Sequence, residues 1–160
     1  MPAAIEKEHI ASLRSAVRAW LATDSDLVTL AAYNASSNIS IINALGDDEL
    51  KAKSVNIILT GNTRIFEDVD GGPYEATFQV LCRHESEVSV LSMLGAVEAL
   101  AEQDRDSNKD AAYNTHAQVN LFSIVFIPFQ GDIDNPVVRE SRTKGVKEAQ
   151  CGLRVRWREK

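Results

Sequence analysis

The residues of this 160-residue chain able to do acid–base, nucleophilic or metal chemistry are three histidines, two cysteines and two acidic turns. His9, His84 and His116 fall in a helix, at a strand end and in a loop, and no two stand at metal-ligand spacing. None has the partners of a Ser-His-Asp or Cys-His arrangement. Cys82 and Cys151 are too few and too far apart for a disulfide framework or a zinc site. Both occupy apolar-facing strand positions, which predicts buried free thiols and an intracellular origin. Asp68-Val69-Asp70-Gly71 and Asp132-Ile133-Asp134-Asn135 resemble oxygen-rich cation loops but lack the later bidentate Glu, so they read as turns. Asp70-Gly71-Gly72-Pro73 precedes a strand rather than a helix, which removes a phosphate loop. The expectation is a protein that is not an enzyme, with no catalytic residue, no cofactor and no metal.

The most pointed polar feature is the triplet Arg154, Arg156 and Arg158. On a strand these guanidinium groups share one face at intervals of about 6.8 Å. They read either as a surface that salt-bridges a neighbouring subunit, as a phosphate-facing ridge, or as a solvated face balanced by local Glu and Asp. A net charge of −6 and a pI near 5.1 argue against general nucleic-acid binding, so the subunit contact is favoured over the phosphate-facing ridge, while the solvated face keeps equal standing. The candidate interface residues are therefore Arg154, Arg156 and Arg158, Asp132, Asp134, Arg139 and Arg142 in the connection before them, and Asp68 and Asp70 in an earlier loop.

The elements that must position these groups follow from hydrophobic periodicity. Ile5, Ile10, Leu13, Val17, Trp20 and Leu21 keep helical spacing, and Asp24 or Ser25 can cap a second short helix over 26–33. Residues 34–38 read as loop. Ile39–Ile42 and Ser54–Leu59 are β-branched runs, hence strands. Thr60–Arg64 and Asp68–Pro73 read as turn clusters around Ile65-Phe66. From Tyr74 to Cys82 alternate residues are apolar, and from Val90 to Leu100 the period changes to that of a helix, which must fold back on the strand's sheet. Residues 104–110 contain no apolar residue and read as loop. Ala117–Phe129 is a strand apolar on both faces, with Leu121, Val125 and Ile127 set against Phe122, Ile124 and Phe126. Such a strand lies inside a sheet or against a subunit neighbour. Gln130–Gly145 is a long polar connection that projects as an arm or packs along a rim. Val146–Arg158 closes the chain with Ala149, Cys151, Leu153, Val155 and Trp157 on one face.

The fold class is α+β: a mainly antiparallel sheet with a helix on one face, an N-terminal helix, and a projecting loop or arm, in a single domain over 1–160. Apolar content of 44% and charged content of 25% are ordinary for a globular chain. No apolar run approaches the roughly 20 residues that span a bilayer, and the N-terminus lacks the pattern of a secretory signal.

This order of elements resembles the tail-terminator (tail-completion) proteins of long-tailed bacteriophages. The helix around Leu13–Leu21, the Tyr74–Cys82 strand, the Met93–Leu100 helix, and the Leu121–Phe129 and Gly145–Trp157 strands carry the resemblance. The long polar segment between Asn34 and Lys53 departs from it. The resemblance implies a non-enzymatic virion protein at the tail–neck junction, assembled in the host cytoplasm. It would form a homo-oligomeric ring, a hexamer, that caps the tail tube and stops its polymerisation. Its partners would be its own copies, the tail tube protein and a head-side connector or adaptor, with DNA passing through the lumen without specific binding. A different neck, connector or tube-like virion protein is the alternative, and a small-molecule-binding α+β domain a more distant one. An acidic chain suits a ring through which DNA must slide.

Overall fold

The computed structural model describes residues 2–33, 36–37, 39–42, 51–65, 73–107, 119–134, 136–142 and 144–159. Helix α1 (Pro2–Leu21) buries Leu13, Ala16, Val17, Trp20 and Leu21, the stripe expected from their three- and four-residue spacing. Its last turn is closed by Thr23, whose hydroxyl donates to the Trp20 carbonyl at 2.6 Å. Asp24 then caps α2 (Ser25–Leu30), its Oδ1 accepting from the Leu27 amide at 2.8 Å. This helix stops short of Tyr33 because Ala32–Tyr33 forms strand β1, antiparallel to β2 (Ser36–Ser37). A two-strand pairing thus occupies part of the segment expected as loop.

The main sheet contains β3 (Ile39–Ile41), β4 (Ser54–Arg64), β5 (Tyr74–His84), β6 (Val119–Ile127), β7 (Arg139–Glu140) and β8 (Lys147–Glu159). Their order is β3-β4-β5-β8-β6, with β7 also paired to β8. All pairings are antiparallel except β3–β4, so the class is α+β. Strand β4 continues through the expected turn at Thr60–Arg64, because the register shifts between Leu59 and Gly61 and pairing then resumes with Thr77 to Tyr74. A Cβ at Gly61 would lie 3.0 Å from Thr77 Oγ1, so a glycine permits the close approach there.

Helix α3 (Glu87–Ser107) begins at Ser86, whose hydroxyl accepts from the Ser89 amide at 3.4 Å. Val90, Met93, Val97, Leu100 and Ala101 are buried against β5, β6 and β8, which confirms that the helix folds back on the sheet. Full burial of each large side chain is worth about 1.5–3 kcal/mol. The helix runs through residues 104–107, expected as loop, while 108–110 lie outside the described residues. Helical hydrogen bonding carries the polar residues on once the apolar stripe has anchored the earlier turns.

Two further findings concern β6. It pairs only with β8 among the described strands, so of the two expected places, inside the sheet or against a neighbouring subunit, the first is excluded within the described sheet. The register shift between Leu121 and Ser123 makes Phe122 a bulge and reverses the side-chain phase. Leu121, Ile124 and Phe126 therefore share the helix-covered face opposite Trp157, Val155 and Leu153, while Val125 and Ile127 lie on the other.

Candidate interaction surface

The sheet face turned away from the helices is built from the alternate residues of the central strands. Glu75 on β5 stands directly opposite Arg156 on β8, with Arg154 two pairs along, the next on that face. Its carboxylate lies between them, Oε2 accepting from Arg156 Nε at 3.3 Å and Oε1 lying 3.7 Å from Arg154 Nε. About half of each arginine side chain remains exposed. Arg158 stands opposite Asn120 of β6. The three arginines thus share one face, as their alternation required, and two of them share a single carboxylate.

Nearer the other end of the sheet the same face is buried. Arg83 is 3% exposed, donates to Ser141 Oγ at 2.9 Å, and lies 3.7 Å from Glu148. Glu148 also accepts from Arg139 Nε at 3.2 Å. Burial draws the Arg83 guanidinium below its usual pKa, and Glu148 opposes that shift. Lys147 and Glu140 pair across β7 and β8. The connection after β6 therefore returns along the rim through β7 and does not project over its whole length. Val137 and Val138 pack against the core, while 130–134 are exposed, Ile133 almost wholly so.

Of the sequence candidates, Arg154 and Arg156 are brought to one carboxylate, and Arg139 is turned inward to Glu148. Asp132, Asp134 and Arg142 are exposed on the connection. Asp68, Asp70 and His116 lie outside the described residues. Glu75 was missed: it sits on the outward phase of a legible strand, but its arginine partners depend on a register that joins residues 81 positions apart.

The arrangement offers no catalytic constellation among the described residues. Cys82 and Cys151 are buried free thiols, as expected. Burial pushes the Cys82 thiol far up, and it pushes Cys151 up to about 12. His84 Nδ1 accepts from the Ser86 amide at 3.2 Å, and burial with Lys53 nearby lowers its pKa against the opposing effect of Glu85. A cavity of about 410 Å³ opens over Gly152, between Gln79, Gln150 and Phe129. Its one titratable lining group is the inert Cys151 thiol. No group of three His, Cys, Asp or Glu able to hold a metal occurs among the described residues, and no described helix is long and apolar enough to cross a membrane.

No family model matches this chain, and no curated protein does. Among solved structures, a chain from the virion of a native gene transfer agent (GTA) particle is similar over 92% of this chain and 95% of that one. The TM-score is 0.50 and the identity 14%. At that identity the likeness shows a shared fold.

Proposed function

We propose that this chain is a structural protein of a phage-like virion, a tail terminator whose copies form a ring on the end of the tail tube. The supporting observation is the shared fold with a chain of a gene transfer agent virion over nearly the whole length of both. The element order read from the sequence points the same way. On this reading the chain performs no chemistry. It associates with further copies, with the tube and with a head-side connector, in a homohexamer through which DNA passes. The net charge of −6 favours passage over phosphate binding. The face carrying Arg154, Arg156 and Arg158, together with Asp132, Asp134, Arg142, Asp68 and Asp70, supplies the contact residues.

A tube-like or connector subunit is the rival within the same class, because the GTA likeness bears on it equally. Negative-stain images and light scattering of the purified protein separate the two. Rings of uniform diameter, with a mass near six chains at every concentration, support the terminator. Open-ended polymers support a tube subunit, and dispersed monomers sink both.

A further inference from the structure

We infer that copies of this chain join edge to edge, β6 of one pairing antiparallel with the Ile58–Arg64 part of β4 in the next. The inference rests on the ring reading and names the contact that closes it.

The first observation is chemical. Strand β6, Val-Asn-Leu-Phe-Ser-Ile-Val-Phe-Ile, contains no charged residue and no proline, yet it is an edge among the described strands. Such an edge presents unpaired backbone donors and acceptors beside exposed apolar side chains, here Phe122 (46%) and Val125 (38%). The bulge at Phe122 interrupts its beginning, but Ser123–Ile127 runs in regular register.

The second observation is positional. Strand β3 covers Val55–Ile57 of β4, and β7 covers Lys147 and Glu148 of β8, at one end of the sheet. At the other end both outermost strands are uncovered among the described residues. The register carries Ile127 through Gly152 and Gln79 to Ile58, and Leu121 through Trp157 and Tyr74 to Arg64. The two open edges therefore lie at the same height along the strands, on opposite sides of one sheet.

That layout fits a rotating, head-to-tail contact. A rotation axis roughly along the strands preserves their sense, and β6 runs opposite to β4, so neighbouring copies meet antiparallel. Complementary patches of this kind generate a ring when the rotation between copies closes. Charge favours it over a two-fold β6–β6 contact. Glu98 and Glu102 line a groove between α3 and β6, while the β3–β4 side carries Arg18, which donates to the Ile39 carbonyl at 2.8 Å, and Arg64. A two-fold contact would set the glutamates of one copy near those of the other.

Hydrogen exchange followed by mass spectrometry, on the assembled protein and along a dilution series, tests this. Exchange in both 119–127 and 58–64 should slow about tenfold or more on assembly, as for newly paired strands. Val125→Glu, which faces Arg154 in its own sheet, and Thr63→Lys, which faces Glu75, should each fold and each reduce the oligomer to single chains. Slowing in β6 without β4 would mean a two-fold contact and overturn the inference. So would an oligomer with neither segment slowed, or variants that keep the wild-type mass; the ring reading would survive these. Wild-type chains that stay monomeric throughout would overturn both.

Discussion

The indole N–H of Trp157 donates to Asn62 Oδ1 at 2.9 Å, across the intervening strand β5. Asn62 pairs with Ala76, and Trp157 with Tyr74, so the small side chain of Ala76 leaves room for the bond to pass. Tyr74 stacks on the indole at 4.7 Å between centroids. Three strands are thereby clamped at the end of the sheet where both outer strands are uncovered among the described residues. Replacing Asn62 with Leu leaves a buried indole N–H without its acceptor and should cost about 1–3 kcal/mol, read from urea unfolding. The double variant Trp157→Phe with Asn62→Leu should cost less than the two single losses added together, because both polar groups are then gone.

Glu148 is the counter-charge of a buried guanidinium. Glu148→Ala should destabilise by about 2–3 kcal/mol, less than the full penalty of an isolated buried charge because Glu148 itself keeps 16% exposure. Arg139→Ala removes the outer partner, at 38% exposure, and should cost less than about 1 kcal/mol. Equal losses in thermal unfolding would contradict this ordering.

The thiols set an alkaline limit. The folded-state pKa of Cys151 is raised from 9.0 to about 12, so the unfolded chain releases its proton first. Stability is full below about 9 and declines as pH rises toward about 12, by roughly 1.4 kcal/mol per unit per thiol. Cys151→Ala should flatten this decline relative to wild type. Both thiols should resist alkylation at pH 8 until the chain is unfolded.

Arg156 has a partner within the chain, which sharpens the test of the intermolecular role proposed for it. Arg156→Glu sets two carboxylates opposite each other and, on the proposed ring reading, should weaken the oligomer as measured by light scattering. The exchange Glu75→Arg with Arg156→Glu restores the local pair. If Arg156 also meets a neighbouring copy, the exchange should recover the melting temperature while the ring remains weak. Full recovery of both would confine Arg156 to its own chain.

Much of this architecture was legible in the residues. The α1 and α3 stripes, the alternation of β5 and β8, and the buried thiols follow from periodicity, because each element buries one face. Strand β4 past Leu59 was hidden because Thr-Gly-Asn-Thr-Arg has turn composition, while its role comes from pairing with β5. The phase of β6 was misread because a bulge at Phe122 leaves no mark in composition. Its edge position was equally invisible, since apolar residues on both faces describe a buried strand whether its neighbours belong to one chain or two. The Glu75–Arg156 pair was beyond reach because only the register joins them.

The middle position of β8 has a consequence for how the protein is made. Both β5 and β6 pair with it, yet β8 follows every other strand in the sequence. During synthesis on the ribosome, β4 and β5 can form their hairpin early, but β6 has no described strand to pair with until β8 emerges. A chain interrupted before β8 would lose β6 as an ordered edge along with the Trp157 clamp. On the ring reading proposed above, such fragments would be barred from joining other copies, so the order of the strands would itself act as proofreading on assembly.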